Sequence, residues 1–251
     1  MGRVKLSKRT STRERIVRAA AELLAEGGRE AVSTRAVVAA AGVQAPTIYR
    51  QFGDMRGLLD AVASHGFSSY LQSKTSREHA EDPVEDLRRG WDLHVEFGLA
   101  NPAFYTLMYG DPRPGAAPTA AVEAAGILHG LVQRAAEAGR LRVGVERAAR
   151  MIHASGVGVT LTLIGTECED RDLALSEMTR EAVLAAVTAD ETDDATPRGD
   201  GGSGRAATRA VALKAVLPEV AAELTPGEQA VLSEWLDRII HPARRPPARP
   251  R

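Results

Sequence analysis

Between Ser33 and Phe52 the chain sets one Gly-Val pair, Gly42-Val43, between two short runs suited to helices, 33–41 and 44–50. Two short helices joined by a glycine turn at that spacing suit a helix-turn-helix, whose second helix enters the major groove of DNA. The chemistry expected there is recognition. The first turn of a short helix offers backbone N–H groups and side-chain tips to phosphates and base edges. The charge around it agrees. Residues 1–57 hold eleven Lys and Arg against five acids, a balance of +6. Residues 58–240 hold seventeen against twenty-eight, or −11, and the tail 241–251 adds four Arg and no acid. The overall charge of −1 therefore hides a basic head on an acidic body. That division suits a polyanionic partner for the head and self-association or a small ligand for the body.

Catalytic chemistry finds no such support. The chain has no P-loop, G-x-G-x-x-G, G-x-S-x-G or metal-ligand motif, so we expect no enzyme, no cofactor and no metal. One cysteine, Cys168, excludes an internal disulfide and a cysteine-based zinc site. The longest uncharged run, 151–166, falls short of the ~20 residues a membrane span needs, and no apolar stretch follows the basic N-terminus. A cytoplasmic, nucleoid-associated protein with no membrane partner is the expectation.

The elements that must hold the motif are all helical. Ser11 and Glu14 have the spacing of a capping box, and Ile16, Ala19, Ala20, Leu23 and Leu24 form one apolar stripe behind it. Gly27-Gly28 should end this helix as a left-handed cap. Ser33 is a good N-cap for the second helix, and Pro46 sits in the first turn of the third, where a missing N–H costs little. Asp54 should cap a fourth helix that carries Leu58, Leu59 and Val62 on one face.

Further helices are expected over 83–99, 102–109, 117–138, 145–164 and 172–189, with a Pro/Gly-rich loop at 111–118. The stretch 190–205 is acidic and then glycine-rich, with nothing apolar larger than Ala, and reads as a disordered linker. Beyond it, Leu213, Val216, Leu217, Val220 and Leu224 form a stripe broken by Pro218. Thr225 and Glu228 form a second capping box, and Val231, Leu232, Trp235, Leu236 and Ile239 mark a final amphipathic helix. The expected fold is all-α. It comprises a flexible basic arm (1–10), a three-helix DNA-binding domain (11–57), a helical ligand-binding and dimerisation domain (58–189), the linker (190–205), a helical extension (206–240) and a disordered tail (241–251).

The stretch STRAVVAAAGVQAPTIYRQF, following a capped helix that ends in Gly-Gly and preceding a Leu-Leu helix, closely resembles the TetR family of repressors. The resemblance rests on Ser33, Ala39–Ala41, Gly42-Val43 and Thr47-Ile48-Tyr49-Arg50-Gln51-Phe52, and spans about 11–62. It implies that Gln44, Ala45, Thr47, Tyr49 and Gln51 face DNA and that Arg35 approaches from the second helix. Arg13 and Arg56 are further candidate contacts, and Tyr49 would reach phosphate through its hydroxyl. Val37, Val43, Ile48 and Phe52 would hold the small core. Three positions depart from the family pattern: Gln44 replaces Ser or Thr, Gln51 replaces His, and Met55 replaces Lys. They leave the operator sequence open, although Gln44 can pair bidentately with adenine.

The resemblance also implies a homodimer on a palindromic double-stranded operator. The helices near 145–165 and 172–189 would pack on their mates, with Ala154, Gly156 and Gly158 permitting close approach. A small hydrophobic or amphipathic ligand would release a repressor of this kind. Trp91, His94, Phe97, Tyr105, Met108, Tyr109, His129 and His153 are the candidate pocket residues, with ordinary core packing as the alternative for each. Other readings stay open at this point: a regulator with no small-molecule inducer, a nonspecific architectural DNA binder, or an enzyme with an incidental helix-turn-helix.

Overall fold

The computed structural model describes residues 11–74, 79–112, 114–189 and 201–241. The expected arm (1–10), most of the expected linker (190–200) and the tail from 242 lie outside the described residues. The helices run α1 (Thr12–Ala31), α2 (Thr34–Ala41), α3 (Ala45–Phe52), α4 (Met55–Lys74), α5 (Pro83–Ala100), α6 (Pro102–Tyr109), α7 (Thr119–Glu137), α8 (Val145–Ile164), α9 (Ala174–Val187), α10 (Gly201–Val216) and α11 (Pro226–Ile240). The only β pairing among the described residues is an isolated bridge between Leu141 and Thr188.

Two helix starts follow from side-chain chemistry. Ser11 Oγ accepts from Glu14 N–H while Glu14 accepts from Ser11 N–H, so α1 begins with a complete capping box. Thr225 and Glu228 repeat the arrangement at α11. The first helix is interrupted at the glycine pair, as expected, although Gly28 does not take the left-handed cap conformation. Gly28 takes φ 66° and ψ −166°, a region open essentially to glycine, and the chain kinks there and completes another turn to Ala31. A further difference lies at α10, which reaches back to Gly201 rather than starting at 206. With 206–216 already helical, each residue added to the front gains a backbone hydrogen bond without a new nucleus.

The chain divides into two compact units. One unit holds the described residues up to 74 together with 96–124; the other holds 79–95 and 125–241. The first unit is built on one apolar core. Ile16, Ala20 and Leu24 of α1 meet Val37, Ile48, Leu58 and Val62 there, all fully buried. Each such Ile, Leu or Val side chain contributes roughly 1.5–3 kcal/mol by leaving water. Ala103, Phe104 and Leu107 of α6 pack against the same core, which is why 96–124 joins this unit.

In the second unit α8 packs on α9, and α10 pairs with α11 as a hairpin. The hairpin sits on its own chain: Gln133 of α7 donates to the Ala215 carbonyl at 3.0 Å, and Gly144 lies against Ile240 and His241. Its buried residues include Val211, Leu236 and Ile240. The sequence stripe is thus rotated by part of a turn, and Trp235, expected to be covered, is 57% exposed beside exposed Val231 and Ile239.

Candidate nucleic-acid interface

The turn before α3 is set by Gly42, whose φ of 61° and ψ of 44° are left-handed. An L side chain there would be strained. Ser33 Oγ accepts from Ala36 N–H and starts α2. Gln44 occupies the N-cap position of α3 but makes no capping bond with its side chain, so its amide remains free to meet an external partner. A Ser or Thr at this position would be the usual N-cap.

The sequence of α3 sorts its side chains by burial. Ile48 is fully buried against the core, Val43 and Phe52 are partly buried against it, and Val37 anchors α2. Gln44, Tyr49, Arg50 and Gln51 are exposed, as are Arg35 of α2 and Arg56 of α4. Tyr49 is 48% exposed, so its hydroxyl is not committed to the core. Ala45 and Thr47 are half-buried at the edge of the same surface. Arg13 is exposed too, and its guanidinium carbon lies 5.0 Å from the centre of the Phe52 ring. That cation–π contact holds a positive charge beside the C-terminal end of α3.

Two features of this surface were not anticipated. Arg50 is exposed in the last turn of α3 and adds a cation to it. Gly57 is the second. A Cβ at this position would lie 2.1 Å from the Phe52 carbonyl oxygen, so only glycine lets α4 start this close to the end of α3. Asp54 Oδ1 accepts from the Gly57 N–H at 2.8 Å and fixes the same corner. A G-D-x-x-G pattern after an aromatic could have flagged it.

The candidate pocket residues fall into three places. Phe97, Tyr105, Met108 and Tyr109 belong to the first unit, where Phe97 meets Phe67 and Tyr70 of α4 and Tyr105 of α6, with ring centres 5.0 to 6.3 Å apart. Burial, then the nearby charge of Glu96, pushes the Tyr70 hydroxyl up to about 12, and burial alone does the same for Tyr109. Trp91, His94 and His153 belong to the second unit. The Trp91 indole donates to Ser176 Oγ at 3.0 Å, and both Trp91 and His94 face the bare Cα of Gly156. Burial, followed by the charge of His153, drives His94 down to about 4, and burial also lowers His153. His129 stands apart, exposed and 3.1 Å from Glu146. Among the described residues no group of three His, Cys, Asp or Glu is placed to hold a metal ion. No described helix is long and apolar enough to cross a membrane.

Residues 16–62 match the profile of the bacterial regulatory proteins of the tetR family. Residues 16–62 are therefore similar to the tetR-family N-terminal domain. Over 51 residues, 20% of this chain, it is 45% identical to the tetracycline repressor protein class C of Escherichia coli. That alignment spans only 23% of the repressor's own length. The likeness of fold reaches further. A structure from Shewanella sp. PV-4, assigned to the tetR family of transcription regulators, superposes with a TM-score of 0.54 at 18% identity, covering 72% of this chain and 100% of the other. RolR, solved in complex with resorcinol, gives 0.56 at 20% identity, covering 77% of this chain and 91% of its own. At these identities the superpositions show a shared tetR-like all-helical fold. The helix-turn-helix just described lies within the residues that match the tetR-family profile.

Proposed function

We propose that this chain is a transcriptional repressor that binds a palindromic operator as a homodimer and leaves it when a small ligand binds. The observation that carries the reading is the sorting of α3. Its apolar side chain Ile48 is spent on the core, while Gln44, Tyr49, Arg50 and Gln51 stand exposed, flanked by Arg13, Arg35 and Arg56. On this reading the arginines and the Tyr49 hydroxyl hold phosphates and set the register, and Gln44 and Gln51 read base edges.

A two-fold arrangement is supported by apolar faces left uncovered. On α8, Met151, Ala154, Gly158 and Thr162 are exposed at helical spacing, and on α9 Leu175, Met178, Ala182 and Ala185 are. Four such helices from two copies make a bundle with small residues at the closest approach. Two recognition helices then meet successive major grooves about 34–36 Å apart.

Release follows from population shift: the ligand must favour a conformer in which the two α3 helices are wrongly spaced. The half-buried imidazoles His94 and His153, beside Trp91, are the polar groups that would orient such a ligand in the second unit. Within the first unit α4 carries Leu58 and Val62 on the core under α3 and Phe67 on the Phe97 cluster, so one rigid helix joins the two. RolR, a neighbour in fold, binds resorcinol, which supports a small-molecule effector here. The test is selection of bound duplexes from a random pool. An inverted repeat is expected, and a selected site without two-fold symmetry contradicts the dimeric reading.

A further inference from the structure

We propose that the second unit holds another binding site, separate from the Trp91–His94–His153 set, that takes an amphipathic organic anion: a carboxylate or phosphate head on an apolar body. The site is a groove of about 720 Å³ between α7, α8 and the α10–α11 hairpin. That volume is in the range of small-molecule clefts, roughly 300–1,000 Å³. The C-terminal hairpin builds one entire wall.

The sign of the ligand follows from which charges are already committed. Two carboxylates line the groove, and both are engaged: Glu146 with His129 at 3.1 Å and Asp237 with Lys214 at 2.5 Å. Gln133 is engaged as well, donating to Glu137 and to the Ala215 carbonyl. Arg147 and Arg150, on successive turns of α8, line the same groove and have no carboxylate partner among the described residues. Histidines aside, three cations meet two carboxylates. A pair of guanidinium groups on one helix face presents planar forks that suit carboxylate or phosphate oxygens. Val145, Val211, Pro218 and Ile240 supply the apolar lining for the rest of the ligand; Met151 and Ala154 also line the groove but belong to the α8 face assigned above to a second copy, so the groove lies at the edge of that seam. Neither a neutral nor a cationic ligand would use the arginines.

The inference is independent of the operator, so its test uses no DNA. The full chain is titrated by calorimetry with octanoate, octyl phosphate and octanol. Saturable binding of both anions is expected, with octanol at least tenfold weaker. The double variant Arg147→Gln/Arg150→Gln is expected to weaken both anions at least tenfold and to keep the wild-type melting temperature, since both side chains are exposed. His94→Ala is expected to leave anion affinity unchanged. Any of four results overturns the proposal: no saturable binding of either anion, equal binding of octanol, unchanged affinity in the double variant, or loss of binding in His94→Ala. A double variant that changes only the sedimentation behaviour would instead make the groove a contact between copies, and would equally overturn it.

Discussion

The two units of this protein are held together in different ways, and the difference explains where each can carry function. In the first, the core under α1 to α4 is built from apolar side chains, and polar and charged side chains of α2 and α3 are left outside it. In the second, polar ties between helices are added to an apolar core that includes Leu87, Leu141, Leu163 and Leu184. Asp86, only 7% exposed, accepts from Arg134 of α7 and from the Ala80 N–H. Arg88 of α5 donates to both oxygens of Glu181 on α9 at 3.2 Å, and Arg140 reaches Asp82 at 2.9 Å. An apolar core tolerates any charge pattern on its outer surface, so the first unit can change its surface and keep its fold. A unit tied by charges and imidazoles is sensitive to pH and to what binds among them.

The largest expected effect is in the apolar core. Ile48→Ala removes a fully buried side chain and should cost about 4 kcal/mol of folding stability, measured by urea unfolding. A cost below about 1 kcal/mol would mean that α3 is not anchored as described. Next is the tie at Asp86. Burial pushes its carboxyl up, but the Ala80 N–H and the hydrogen bonds from Arg134 and His79 outweigh this and hold it below the usual range. Asp86→Ala leaves Arg134 without that carboxylate and should cost about 3 kcal/mol. If Asp86→Leu, which refills the volume but not the charge, cost much less than Asp86→Ala, packing rather than pairing would be the cause.

Titration sharpens the contrast further. His94 is held near 4 in the folded protein against 6.5 when free. Between those values the unfolded chain takes up a proton that the folded one refuses. Stability from this group is therefore complete above about pH 6.5 and declines as pH falls toward 4, by up to about 3 kcal/mol. His153, lowered by burial, acts in the same direction. His94→Asn should flatten the curve in that window, and an unaltered profile would show that the imidazole is not desolvated. Asp86 adds a separate loss at still lower pH, as its depressed carboxyl is protonated. The smallest effect on stability belongs to the recognition surface. Tyr49→Ala should change folding by no more than about 0.5 kcal/mol, because the ring is half exposed. A larger loss would show Tyr49 to be part of the core.

The contrast also explains what could be read from the sequence. The helix-turn-helix was legible because its spacing is rigid: Ser33 must cap, Gly42 must turn left-handed, and Ile48 must reach the core while Tyr49 does not. The helices of the second unit were legible as helices, with α8 placed at 145–164, but not their partners. Nothing local in the chain says that Asp86 will meet Arg134, or that Arg88 will meet Glu181 across 93 positions. The Gly57–Phe52 approach carried a local sign, the G-D-x-x-G pattern, but its tightness depends on the angle between two helices. The candidate pocket list mixed residues of both units because aromatic and imidazole side chains, rare in this sequence, were the signal, and that signal carries no address. Trp235 was expected to be covered as part of the stripe Val231, Leu232, Trp235, Leu236 and Ile239, and the rotation of α11 on α10 that exposes it is decided by Leu236 and Ile240.

The most direct measurement is fluorescence anisotropy of a duplex selected by the protein, comparing wild type with Tyr49→Ala and Gln44→Ala at one ionic strength. A dimer reading DNA through α3 predicts that Tyr49→Ala weakens selected and altered duplexes alike by about tenfold, the ~1.4 kcal/mol worth of a charge-assisted contact, while Gln44→Ala changes which base is preferred. Undiminished affinity in Tyr49→Ala, or a protein that treats the selected duplex no differently from random DNA, would contradict the assignment of α3 as the reading helix.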